Sequence, residues 1–391
     1  MDYIEYIKQN KYYAIIASMI LASVFANIAI GQVLYFLAMV VMSYKNYHKK
    51  EKINFLFAAL YIWCFITLVI NFIFDYRILT FGLILMSVMP LFSSPVCFEY
   101  RSKILYTILI ILPIVSLLNL YAYWAGINYY ALLAKDFSGF FFSGFLYHPM
   151  WLGAIIGASN VSILYLYYNN TEKKWWRLVI AVLLLGSIYL SVVAASRAAL
   201  GASLVSMAVL VLIYSENTSH FLKQIFVIAL LVSVFLPFYK GGADTLMEKM
   251  ESQSLNINSR NSLWESRMDE FMESPIWGVG FSTIKSHGKF FTGTVETGSG
   301  WLSILSQTGI VGFFLVFSII KKGYISYREV RQSSPCVILF YCEFIYYALH
   351  SIFEGYIFTA GYCPCMIFWL IIGFFYEYQL YGAPEIEEID S

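Results

Sequence analysis

The stretch "LSVVAASRAALGASL" sets one arginine, Arg197, between two apolar runs that together extend from Trp176 to Tyr214. Two further arginines, Arg260 and Arg267, stand seven residues apart, which places them two turns apart on one face if that segment is helical. A guanidinium offers a planar fork of donors and stays charged at any working pH, so three of them on one face suit a pyrophosphate better than lysines would. Group transfer to a hydroxyl also needs an acid or base, and the candidates that share a side with these arginines are His148, His287, Glu296, His350 and Glu354. Glu296 opens "ETGSGWLSILSQTGIVGFF" just before an apolar run, where burial would raise its pKa toward a working value. His287 reads equally as a solvated loop residue, and His148 and His350 as packing residues at element ends. Each arginine has an ordinary alternative as well. Arg197 could sit in a turn against lipid headgroups, and Arg260 and Arg267 could pair with Glu265, Asp269 or Glu270 along a solvated helix. No metal-ligand spacing occurs and no cofactor is called for, so metal-independent chemistry is expected.

The elements that must position these residues are membrane spans. Of 391 residues, 60% are hydrophobic and 13% are charged, well below the roughly 25% charged of a soluble domain. Runs of about 20 apolar residues, enough to cross a bilayer core, recur from end to end. The start "MDYIEYIKQNKYY" is polar and the run after it is long, so the first helix is expected to stay rather than be cleaved. A net charge of +1 does not call for a nucleic-acid partner. The six cysteines fall in apolar segments, and "CPC" at Cys363 to Cys365 lacks redox or metal spacing.

Between Lys11 and Lys45 lie 33 uncharged residues, too many for one span, so a hairpin turning near residues 27 to 32 is expected. Further spans are predicted near 53–74, 78–98, 104–125, 148–168, 176–195, 199–215, 222–238, 299–320, 336–352 and 358–378. That makes about twelve, in an all-α integral membrane protein with one polytopic domain over 1–391. Of the 25 basic residues, 16 fall in the N-terminus and alternate loops, Arg101 and Lys103 among them, which makes that side cytoplasmic with both termini inside. The acidic tail 379–391 is then cytoplasmic.

On this topology Arg197 is the outward tip between two spans. The longest polar segment, 239–298, is an outer loop of a length that usually carries function. Within it, "NSRNSLWESRMDEFMESPIWGVG" is predicted to form a helix with Ser259 or Ser262 as N-cap and Pro275 with Gly278 at its end. Leu263, Trp264, Met268, Phe271 and Met272 make one stripe, expected to lie against the membrane domain or its interface.

These motifs, in this order, resemble the bacterial O-antigen ligase and polymerase family of multi-spanning glycosyltransferases over roughly Gly144 to Gly355. "GFLYHPMWLG" is similar to the family's His-Pro-Asn segment, with Met150 where asparagine is common, and "ASRAALGA" to its Ser-Arg-Gly junction. "SRNSLWESRMDEFMESPIWGVGF" is similar to its large-loop signature, and Arg267 to Gly278 keeps the Arg-x10-Gly spacing of polymerases. "WLSILSQTGIVGFF" and "HSIFEG" resemble its later segments.

The resemblance implies a GT-C-like fold with its site on the outer face of the plasma (inner) membrane. It implies that Arg197 and Arg260, with Arg267, hold the pyrophosphate of an undecaprenyl-linked oligosaccharide. Glu296, with His287 in reserve, would deprotonate an acceptor sugar hydroxyl for inverting attack, with His148, His350 and Glu354 in support. Ligases carry His-Asn where this chain has "ETGSGW", which points to a polymerase using lipid-linked donor and acceptor in the bilayer. A chain-length regulator and a flippase are then candidate partners. A ligase acting on a lipid A core is the alternative, and a lipid-linked oligosaccharide flippase is a second.

Overall fold

The computed structural model describes residues 3–26, 30–45, 52–53, 55–88, 92–133, 142–169, 174–194, 196–224, 258–286, 289–292, 298–360 and 362–384. A short helix α1 (Tyr3–Gln9) leads into α2 (Lys11–Ala26) and α3 (Ile30–Lys45), which pack on each other as an apolar pair. Then come β1 (Lys52–Ile53), α4 (Phe55–Ile70), α5 (Arg77–Val88), β2 (Phe92–Ser93), α6 (Pro95–Trp124) and the short α7 (Tyr129–Leu133). The strands β1 and β2 pair antiparallel at one end of the bundle. The centre is α8 (Pro149–Asn169), α9 (Lys174–Val193) and α10 (Arg197–Tyr214). After α11 (Asn258–Glu273) and the antiparallel hairpin β3 (Thr283–Ser286) and β4 (Lys289–Thr292), the chain closes with four helices. They are α12 (Gly300–Lys322), α13 (Tyr327–Gln332), α14 (Pro335–His350) and α15 (Cys363–Tyr381).

Among the described residues six helices are long and apolar enough to cross a membrane, and five shorter apolar helices accompany them. Predicted boundaries shift where capping chemistry decides them. The span predicted over 78–98 ends at Val88, and α6 starts at Pro95 and runs 30 residues, taking in the predicted 104–125. Ser94 is extended and its hydroxyl accepts from Cys97 N at 3.3 Å, with proline next to it in the first turn, a strong start signal. Arg101 and Lys103, expected in a cytoplasmic loop, therefore lie inside α6, where Arg101 is buried in an ion pair with Glu377 of α15. The last span starts at Cys363 rather than 358, behind an extended Tyr362 and with proline in its first turn. The predicted span 222–238 falls almost wholly outside the described residues, as do tail residues 385–391.

Helix α8 is the buried post of the bundle, in contact with α6, α9, α10 and α14. Its small residues Gly153, Ala154, Gly157, Ala158, Ser159 and Ser162 let neighbouring helices approach closely, as membrane packing requires. Buried polar groups bond across the contacts: Ser116 Oγ to Ser159 Oγ at 2.6 Å, Asn160 Nδ2 to Ser191 Oγ at 3.1 Å, and Ser162 Oγ to Glu343 Oε1 at 3.0 Å.

Helix α12 is broken. Gly309 has φ 63° and ψ −171°, and the turn 275–280 that follows α11 inserts its backbone into the gap. Val279 N donates to Ser306 O at 2.8 Å, Gly280 N to Gln307 O at 3.1 Å, and Ile310 N to Pro275 O at 2.8 Å. Trp63 of α4 donates to Thr308 O at 2.8 Å and stacks on Trp277, and Asn71 donates to Gly278 O at 3.1 Å. A Cβ on Gly309 would lie 2.2 Å from Ile276 O, and one on Gly278 2.4 Å from Gln307 C. Gly309→Ala therefore combines backbone strain with a clash and should cost more than about 2 kcal/mol. Gly126→Ala, at φ 68° with nothing within 4 Å, should cost only about 1 kcal/mol. Thermal unfolding of the two purified variants checks the difference, and equal midpoints would refute the interlock.

Candidate functional site

One end of the bundle gathers the N-termini of α8, α10, α11 and α12 with the C-terminus of α14. Arg197 is the first residue of α10 and is exposed, immediately after the bend that ends α9. Ser196 packs so tightly on α8 that a Cβ at Gly153 would sit 2.5 Å from its hydroxyl. From the other side of α8, Tyr346 of α14 donates to Ala154 O at 2.8 Å. His350, the last residue of α14, stacks on Tyr346 with ring centres 5.5 Å apart and faces Tyr356 at 5.6 Å. It is buried, and neither ring nitrogen has a hydrogen-bond partner among the described residues.

Arg260 lies in the first turn of α11. Its Nη2 donates to Glu354 Oε1 at 2.8 Å and its Nη1 to Gly298 O at 3.4 Å. Trp264, one turn on, donates to the same carbonyl at 3.0 Å and lies against Phe353. The segment after α14 is pinned in turn, with Gly300 N donating to Ser351 O at 2.8 Å and Trp301 Nε1 to Ala348 O at 3.0 Å. A run of contacts therefore leads from Ser196 through Gly153, Tyr346 and His350 to Glu354 and Arg260. It brings Arg197 and Arg260, 63 positions apart in the chain, to the same end of the bundle.

Arg267 takes one of the acids expected as its alternative partner, but in a different setting. It faces inward and is buried in an ion pair with Glu270 at 2.7 Å, not on a solvated surface. Glu270 also accepts from Lys285 N at 2.5 Å, which ties α11 to β3. Burial pushes the Glu270 carboxyl up and the Arg267 guanidinium down from their ordinary values, each against the pull of the other. The inward face of α11 is thus turned toward this pair, leaving Met268 and Met272 of the predicted stripe exposed. Ser259 and Ser262 fall inside the helix, which already begins at Asn258, so neither caps it.

His148 precedes α8, its carbonyl accepting from Trp151 N and its Nδ1 from Met150 N at 3.2 Å, with its ring against Tyr130. It closes the start of that helix. Glu296 and His287 lie outside the described residues, the former two positions before the Gly298 carbonyl that anchors Arg260 and Trp264. Among the described residues no group of three or more His, Cys, Asp or Glu could hold a metal.

Two features escaped the sequence reading. The Arg260–Glu354 pair joins residues 94 positions apart, and no local pattern announces it. Glu343, a single carboxylate within "PCVILFYCEFIYYALH", is buried in α14 with Ser162 as partner, and its isolation in an apolar run was the available signal.

Residues 180–317, running from within α9 through α10 and the large loop into α12, match a known family. That family is the O-antigen ligase family. No curated protein matches the chain, and no solved structure does. The O-antigen ligase match takes in Arg197, Arg260 and the α12 break, and it ends before His350 and Glu354. With the apolar helices it marks a multi-pass membrane protein and supports membrane glycosyl transfer as the class of activity.

Removing Arg267 alone would leave the Glu270 carboxylate buried without its cation. Arg267→Ala should cost about 3–5 kcal/mol, whereas Arg267→Met combined with Glu270→Leu should recover most of it. Unfolding midpoints of the single and double variants measure this. A double variant no better than the single would show that the pair is not the unit.

Proposed function

We propose that this chain is a polysaccharide polymerase. It transfers an undecaprenyl-pyrophosphate-linked glycan to the terminal sugar of a lipid-linked repeat unit on the outer face of the plasma membrane. The observation that carries the reading is that Arg197 and Arg260 lie at the same end of a membrane bundle, both within the region similar to O-antigen ligases. At that end the two guanidiniums hold the pyrophosphate and offset the charge that develops as the anomeric carbon–oxygen bond breaks. The acceptor hydroxyl attacks the same carbon from the opposite side, with inversion and without a metal. Arg267, locked to Glu270, sets the angle of α11 and so the reach of Arg260.

The opposite end of the bundle carries Lys45, Lys103, Lys174, Arg177, Lys223, Lys321, Lys322, Arg328 and Arg331. That bias supports a cytoplasmic assignment for it and an outer one for the arginine site. The polymerase is favoured over a ligase by the absence of His-Asn before "WLSIL" and by the Arg267 to Gly278 spacing.

Arg197→Ala and Arg260→Ala should each slow transfer by about 10²-fold or more in purified protein given a lipid-linked oligosaccharide, without loss of folded yield. Deleting the gene should leave single repeats on gels of the cell's glycan. Long chains left on the carrier lipid would instead identify a ligase. A transport reading draws its support from Glu343, a carboxylate buried within a span without a cationic partner among the described residues; loss of function in Glu343→Gln with full function in both arginine variants would select it.

A further inference from the structure

Arg260 is engaged in a way that bears on how the site works. Its Nη2 is spent on Glu354 Oε1 at 2.8 Å, while its other terminal nitrogen makes only a long 3.4 Å contact with a backbone carbonyl. The Arg260 side chain is 34% exposed and Glu354 12%, so the pair sits at the rim of the site, with the carboxylate on the inner side. An arginine fork gains more from the several oxygens of a pyrophosphate than from one carboxylate oxygen. A diphosphate arriving at Arg197 and Arg260 therefore competes directly with Glu354 for the same guanidinium.

The backbone of Glu354 is held where it is. Its carbonyl lies against Gly300, where a Cβ would come within 3.1 Å, and the segment before it is held by the Gly300 N to Ser351 O and Trp301 to Ala348 bonds. Among the described residues near it are His350, with two unpartnered ring nitrogens, and the tyrosines 346, 356 and 362. A carboxylate that loses its cation in such surroundings binds a proton more readily.

We infer that Glu354 holds Arg260 until the donor pyrophosphate replaces it, and that the carboxylate thus released takes the proton of the acceptor hydroxyl. The inference rests on the glycosyl-transfer reading and puts Glu354 in the role that family resemblance gives to Glu296. In the step, the acceptor O–H proton passes to a Glu354 oxygen while the acceptor oxygen bonds the anomeric carbon. The bond from that carbon to the phosphate oxygen breaks, and its electron pair leaves with undecaprenyl pyrophosphate, balanced by Arg197 and Arg260. The empty site then re-forms the Arg260–Glu354 pair, which returns the proton to solvent. Donor binding thereby arms the base, and a site without donor keeps its carboxylate occupied.

The test uses the full chain in lipid nanodiscs, with undecaprenyl pyrophosphate as binding probe and a lipid-linked oligosaccharide as transfer substrate. Glu354→Gln removes the competitor and the base together. It should bind undecaprenyl pyrophosphate at least about 5-fold more tightly than the wild type, yet transfer about 10²-fold or more slowly. Glu354→Asp, which keeps the charge, should return binding to the wild-type value and restore part of the turnover. A merely structural glutamate would weaken both. Wild-type turnover in Glu354→Gln together with lost turnover in Glu296→Gln would overturn the proton assignment. Unchanged or weaker probe binding in Glu354→Gln would overturn the exchange. Absence of transfer by the wild type would remove the glycosyl-transfer reading and the proton step with it, while the binding comparison still decides the exchange.

Discussion

A helix in a membrane can break only where its freed backbone groups find new partners, and the break in α12 is where this fold meets that constraint. The carbonyls of Ser306, Gln307 and Thr308 lose their helical donors at Gly309, and each is taken up: by Val279 N, by Gly280 N and by the Trp63 indole. Two of those donors belong to the turn that follows α11 within the large loop. The loop is thus fastened into the membrane bundle by main-chain bonds as well as side-chain packing. Arg260 and Trp264, on the helix that leads into that turn, inherit their position from this seam. The stacked Trp63 and Trp277 and the Asn71 bond to Gly278 O extend the same seam onto α4.

The second determinant is the buried pair Arg267 and Glu270. An ion pair taken out of water contributes little net stability, but it is costly to misalign, and this one has a backbone donor of β3 as third member. It fixes the rotation of α11 about its axis. With that rotation set, Arg260, two turns earlier, comes against Glu354 and the end of α14, not lipid. Position comes from the interlock and orientation from the pair, and the rim of the site needs both.

Much of this was legible in the sequence. Apolar run lengths with the Lys and Arg bias marked the helix pairs and put Arg197 between two of them, because span length and charge placement are local properties. The helix over α11 was legible from its polar face and terminating Pro275, although its inward face was not. An arginine among apolar residues gives no sign whether it faces water or a glutamate one turn on; only the neighbour above it, β3, decides that. The start of α6 was missed because the charges at Arg101 and Lys103 read as a loop, while the Ser94 cap, Pro95 in the first turn and the partner Glu377 carry the helix through them. Pairings such as Arg260 with Glu354 depend on the whole chain's path and leave no trace in spacing.

The Arg101–Glu377 pair has a consequence for how the protein is made. Its members enter the bilayer with α6 and α15, the latter the last of the described helices and 276 residues downstream. During synthesis α6 carries a guanidinium not yet paired with Glu377 as its seventh residue, near enough to the headgroups to reach them while it waits. Glu377 sits toward the matching end of α15, so its hydrophobic stretch enters with a carboxylate whose ion-pair partner lies in the earlier helix. Docking of α15 is therefore coupled to closure of the bundle on α6: until the two helices meet, the first half of the protein carries a guanidinium without the carboxylate that neutralises it.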